Sequence, residues 1–285
     1  MKKLNSNSPL NVFILMIIIV LSIWTISFFL LKDNCDRGTF GDMFGAVNAI
    51  FSGLAFAGLI FTILLQKEEL ELQRIELTET RQEFITQNNT LKKQRFENTF
   101  FNMIELHHKI VEGIDSSERR FVGGNNYQIV AIKGRDVFEK EYYNFISKLK
   151  HNEETGTFKD RNEIYLENYK SVQTDFGHYF RNVYRIIKLV DTTDFYSNEI
   201  VDEKKVDEQL FLEKYKYTSI LRSQLSDYET LWLFYNCLTK NGLENFKPLI
   251  ERYCIFKNIP KDKFFKPEDG NEYKKTAFEK TIPSA

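Results

Sequence analysis

The side chains best suited to chemistry lie in one short run, His178-Tyr179-Phe180-Arg181-Asn182-Val183-Tyr184-Arg185. On a helix, His178, Arg181, Asn182 and Arg185 fall along one polar side. Two guanidinium groups, a carboxamide and an imidazole so grouped can bind a ligand or partner, or form a salt-bridged face between helices. Elsewhere the chain has no Gly-Lys-Ser/Thr phosphate loop, nucleophile elbow or kinase set. His107 and His108 are adjacent, so a helix sends them to different faces, and Glu105 lacks the i, i+4 histidine spacing of a zinc site. His107 reads as a buried, hydrogen-bonded core residue. Gly123-Gly124 has no strand-to-helix setting for a phosphate and reads as a plain turn. Three cysteines, Cys35, Cys237 and Cys254, are too few for a disulfide framework or a structural zinc site. Cys237 and Cys254 lie in apolar stretches, where inert thiols are expected. No metal, no cofactor and no catalytic residue is assigned from these patterns.

The elements that must position this cluster divide into a membrane part and a cytosolic part. Val12 to Leu31 is twenty residues without a charge, enough for a helix to cross the roughly 30 Å hydrocarbon layer. It is longer than the apolar run of a cleaved signal peptide and ends in Phe-Leu-Leu-Lys-Asp-Asn-Cys, with no small-residue cleavage site. Phe44 to Leu65 is a second uncharged run. Within it Gly45, Ala49, Gly53 and Ala57 recur every four residues, a ridge of small residues that lets helices approach closely in lipid. The ridge can seat the first span within one chain, join copies into a homo-oligomer, or do both. Asn48 is expected to hydrogen-bond across a helix interface.

Lys2 and Lys3 precede the first run, and Lys67, Arg74 and Arg81 follow the second. This places both termini in the cytoplasm and the intervening loop outside, as in a multi-pass membrane protein. The expected order is a tail over 1–11, transmembrane helices over 12–31 and 44–65 with an external loop over 32–43, a helical stalk over 66–95, a cytosolic helical domain over 96–267, and a polar tail over 268–285. The fold class is mainly α, with an N-terminal two-helix transmembrane hairpin.

In the stalk Leu70, Leu77, Phe84 and Leu91 are seven apart, but the companion positions Arg74, Arg81 and Asn88 are polar, so any coiled coil is weak. Phe96, Phe100, Met103, Ile104, His107, Val111 and Ile114 then mark one apolar helical face. Glu112 to Gly134 reads as a long loop or hairpin, and Arg135 to Lys150, Gly177 to Val190 and Leu210 to Leu225 as helices. His151 to Arg161 reads as a polar connector and Asp191 to Val206 as an acidic, irregular one. Ser226-Asp227-Tyr228-Glu229 is a capping box for a helix through Leu238, with Gly242 suited to its C-terminal turn. A last helix begins near Pro248 and stops by Pro260. Over the whole chain 39 basic residues stand against 40 acidic ones, so direct nucleic-acid binding is not expected. Only 13 Gly and 5 Pro leave little material for a turn-rich β fold.

Two resemblances follow from these residues. The Arg181-Asn182 dyad with His178 resembles the active motif of the HEPN helical ribonucleases, which implies RNA cleavage by those three residues. That family places its histidine beyond the dyad, where positions 187 to 189 here are Ile, Lys and Leu. The second resemblance covers most of the chain from residue 37 to about 258. It rests on RGTFGDMFGAVNAIFSGLAFAGLIFTILLQ, QRFENTFFNMIELHHKIV, GHYFRNVYRIIKLVD and YTSILRSQLSDYETLWLFYNCLTKNG, in that order. This set resembles the AbiC-like phage abortive infection proteins, a bacterial membrane family. It implies anti-phage defence by arrest or death of the infected cell and carries no catalytic assignment. The expected partners are the lipid bilayer, further copies of the chain, and a trigger protein from the phage or from a defence cassette. An anchored ribonuclease, or a non-catalytic tether for another defence component, are the other readings.

Overall fold

The computed structural model describes residues 18–19, 21–26, 29, 37–123, 126–156, 159–195 and 203–281. The expected tail over 1–11 and much of the first span and external loop lie outside the described residues. Within the first span, residues 18–19, 21–26 and 29 are helical and exposed.

A single helix, α1, runs from Arg37 to Glu112. It begins inside the segment expected as a loop and continues without a break through the second apolar run and the stalk. No proline lies between Pro9 and Pro248 to interrupt it, and glycines are common in membrane helices. Within Val47–Glu112 it is long and apolar enough to cross a membrane, and none of that apolar stretch is buried. The heptad residues Leu70, Leu77, Phe84 and Leu91 are exposed as well. The chain divides into two compact units, Met1–Glu83 and Phe84–Ala285.

The second unit opens on the last turns of α1, which bury Phe96, Phe100, Ile104 and Val111. The glycine-bearing segment that follows is an antiparallel hairpin, β1 (Asp115–Gly123) and β2 (Asn126–Lys133), with Phe121 opposite Tyr127. Gly123 turns the chain at φ 101°, a conformation that favours glycine. Four longer helices come next: α2 (Arg135–Glu154), α3 (Arg161–Thr192), α4 (Glu203–Gln224) and α5 (Asp227–Cys237). The short α6 (Lys247–Tyr253) and three short 3-10 helices complete the described chain.

The centre of this unit is α5, in which every residue from Glu229 to Cys237 is buried. Its helical start is fixed by the capping box, in which the Ser226 hydroxyl accepts from the Glu229 amide and the Glu229 carboxylate accepts from the Ser226 amide at 2.7 Å. Trp232 is wedged among Phe145, Tyr165 and Phe176, and its indole donates to the Phe138 carbonyl at 3.0 Å. Phe138 stacks on Phe176 at 4.4 Å, tying α2 to α3. A helix buried on all sides needs aromatic neighbours of this kind, because its backbone bonds are internal and only side-chain packing holds it.

Three features depart from expectation. Helix α3 starts sixteen residues before Gly177, because Asp160 caps it by accepting from the Asn162 amide at 3.1 Å. Gly242 does not adopt a left-handed turn; a Cβ there would stand 2.9 Å from the Cys237 Cα, so glycine serves a close approach instead. The segment read as a polar tail from 268 packs through Asp269, Tyr273 and Ala277, all buried. Its polar residues are consumed in pairs: Asp269 and Glu272 both bind Arg161, at 2.7 and 2.6 Å, and Tyr235 donates to Asp269 at 2.9 Å. The Tyr273 hydroxyl donates to the Phe234 carbonyl at 2.7 Å.

Candidate functional site

The expected polar face of α3 is split by the structure. His178, Arg181 and Arg185 are exposed, whereas Asn182 is buried and its amide reaches the Met103 carbonyl of α1 at 3.4 Å. Arg181 Nη2 lies 3.3 Å from His178 Nδ1 and carries no ion pair among the described residues. The dyad therefore points two ways, Arg181 outward and Asn182 into the helix interface. As placed, Arg181, Asn182 and His178 do not converge on one atom of a substrate.

Arg181 opens instead onto a cleft of about 330 Å³. One wall is a stripe of α3 at four-residue spacing, Tyr169, Gln173, Gly177 and Arg181, flanked by Phe180 and Tyr184. The other wall is the end of α5 and the turn after it, which contribute Asn236, Asn241, Asn245 and Phe246. Tyr184 and Phe246 meet edge to face at 5.4 Å, joining the two walls at one end. Gly177 leaves the space open: a Cβ there would touch the Tyr169 hydroxyl at 3.4 Å and the Arg181 guanidinium at 3.5 Å. The close approach of Gly242 to Cys237 holds the turn that bears Asn241 and Asn245. Burial pushes the Tyr169 phenol up, with the Arg181 charge opposing it, so this hydroxyl stays protonated and can donate.

A model of the family described as putative phage abortive infection protein matches residues 171–264. The match bears out the AbiC-like resemblance. All but one of the cleft-lining residues fall inside the matched residues, the exception being Tyr169. The two blocks of the second half that carry the resemblance contribute to both walls, with Gly177, Phe180, Arg181 and Tyr184 from one and Asn236 and Asn241 from the other. Neither a curated protein nor a solved structure matches the chain.

The matched segment also holds one side of a buried polar contact. His107 Nε2 of α1 lies 3.5 Å from Glu229 Oε1, and both side chains are fully buried. The contact lacks hydrogen-bond geometry: neither imidazole nitrogen nor Oε1 has a hydrogen-bond partner among the described groups. The second carboxylate oxygen accepts from the Ser226 amide and faces Arg135 Nε at 3.5 Å. Burial alone would raise the Glu229 carboxyl, but His107 and the Ser226 groups outweigh it and hold it below the usual carboxylate range. Burial pushes the Cys237 thiol far up, so it is an unreactive packing group.

The membrane-packing candidates Gly45, Ala49, Gly53 and Ala57 are exposed on α1. A Cβ built at Gly45 or Gly53 meets nothing within 4 Å among the described residues. Among the residues described, no cluster of three His, Cys, Asp or Glu forms a candidate metal site.

The sequence reading found Arg181 but missed Tyr169, Gln173, Asn241 and Asn245. Two signals were available: the four-residue spacing of 169, 173, 177 and 181, and three asparagines within ten residues at the end of a strongly apolar helix.

Proposed function

We infer that the chain is a membrane-anchored abortive infection effector. In this reading residues 12–31 and 44–65 form a transmembrane hairpin in the bacterial inner membrane, with both termini in the cytoplasm. The cytosolic helical unit senses an infection-linked signal, delivered by a phage-derived or defence-cassette partner. The Gly45, Ala49, Gly53 and Ala57 ridge then assembles or rearranges spans, within a homo-oligomer, and perturbs the membrane.

One observation carries this reading. Helix α1 runs unbroken from an unburied apolar stretch of membrane-crossing length to turns whose Phe100, Ile104 and His107 pack in the cytosolic unit. His107 in turn contacts Glu229, inside the segment matched to the abortive infection family. A signal that repacks this unit has a direct covalent and helical route to the apolar stretch.

The experiment is induced expression of the full chain in bacteria, with uptake of a membrane-impermeant dye followed beside growth. Growth arrest with dye uptake supports the reading. Gly53→Leu, whose Cβ meets nothing within 4 Å among the described residues, should remove both at equal membrane abundance. Arrest with a sealed membrane would overturn it.

A further inference from the structure

The cleft on α3 has a lining whose chemistry selects one kind of molecule. Its single cation, Arg181, is exposed and has no carboxylate to pair with: among the described residues the lining holds no Asp or Glu. An unpaired guanidinium at the mouth of a concave site suits an anion, and its planar fork suits phosphate above other anions. The lining is rich in carboxamides: Gln173 on one wall and Asn236, Asn241 and Asn245 on the other, of which Asn236 is buried and the other three are exposed. Each carboxamide offers a donor pair beside an acceptor, the pattern that matches the hydrogen-bonding edge of a nucleobase. Asn236 is buried at the end of α5. The remaining surface is aromatic, and such rings give a planar heterocycle a face to stack on.

Size separates a small molecule from a polymer. About 330 Å³ lies at the lower end of the roughly 300–1,000 Å³ typical of small-molecule sites. The site has room for one nucleotide, and the near-neutral chain offers no basic track to bind a strand.

We propose that this cleft binds a single nucleoside phosphate, with the phosphate on Arg181 and the base among the four carboxamides. The proposal gives the sensing half of the function above a ligand class, and rests on that reading only for the consequence of binding. It goes beyond the expected phage or cassette protein as trigger, because it assigns a small molecule to the same unit.

The test uses the full chain purified in detergent and titrated calorimetrically with AMP, GMP, CMP and UMP. The nucleoside of each mononucleotide and inorganic phosphate serve as the two halves of the ligand. At least one mononucleotide should bind one to one and saturably. Its nucleoside and inorganic phosphate alone should each bind at least tenfold more weakly. Arg181→Gln should weaken the mononucleotide about tenfold and leave the nucleoside unchanged. Gly177→Leu should fill the space beside Arg181 and abolish both. Absence of binding by all four mononucleotides would overturn the proposal, as would binding indifferent to Arg181→Gln. Arg181 is exposed, so that variant decides the matter if Gly177→Leu loses its thermal transition. Because no membrane leakage is read, failure of binding and failure of the membrane reading are told apart.

Discussion

Phe51 and Phe100 lie on the same helix, yet Phe51 is 68% exposed and Phe100 is wholly buried. Among the described residues the apolar stretch of α1 over 47–65 is exposed, while the end of the helix is amphipathic and buries Phe96, Phe100, Ile104 and Val111. For an apolar side chain in water, exposure forgoes roughly 1.5–3 kcal/mol of burial free energy. A lipid environment removes that cost for Phe51, whereas Phe100 recovers it by packing on Tyr217 and Phe96. The contrast teaches that hydrophobicity in this chain has two destinations, and that pattern separates them better than composition does.

The largest expected effect comes from setting these destinations against each other by truncation. Phe138→Ala removes a ring stacked on Phe176 and should lower stability by about 3–5 kcal/mol. Phe51→Ala should move the same detergent-solution thermal transition by less than about 0.5 kcal/mol. Equal losses would show that the first half of α1 packs on protein.

His107→Leu comes next. It leaves the Glu229 carboxylate buried without its partner from α1 and should cost about 3 kcal/mol. Chemical denaturation monitored by Trp232 fluorescence would report it. A neutral result would mean that His107 contributes by shape alone.

Gly242→Ala should cost about 1–3 kcal/mol, because its methyl group meets the Cys237 backbone at 2.9 Å and the turn must shift. The same substitution should weaken any ligand held by Asn241 and Asn245. Gly53→Ala, with open space around it, should leave the thermal transition in place.

The smallest effect is a pH slope. Glu229 has a folded carboxyl pKa below its unfolded value of about 4.3, so its stabilisation is complete above that pH. It is lost as pH falls through the folded value. Acidification through this window should therefore destabilise the wild type, and Glu229→Gln should flatten that part of the profile. Asp191 contributes in the same direction: burial opposes ionisation there, but Tyr253 and Arg252 outweigh it and hold the carboxyl low. Some slope should thus survive in Glu229→Gln.

Local rules made much of this fold readable. The Ser226–Glu229 capping box and the apolar faces through Phe100 and Phe138 depend on near neighbours and were visible as spacing. What escaped depends on distant partners. The 268–281 segment looks like a tail until Arg161, more than a hundred residues earlier, is seen to neutralise Asp269 and Glu272. Asn182 reads as polar surface until the Met103 carbonyl of α1 is placed against it. The cleft was half legible: Arg181 stood out by charge, whereas Asn241 and Asn245 acquire a role only when the turn after α5 folds back onto α3.

The central claim is that the unburied apolar stretch of α1 acts on the membrane in response to infection. The most direct measurement is a time course of dye uptake and growth in phage-challenged bacteria that carry either the wild-type chain or Gly53→Leu. The account predicts that wild-type cells take up dye as growth stops, before phage lysis, and that Gly53→Leu cells stay sealed and yield phage. Growth arrest behind an intact membrane, or protection undiminished in Gly53→Leu, would contradict it.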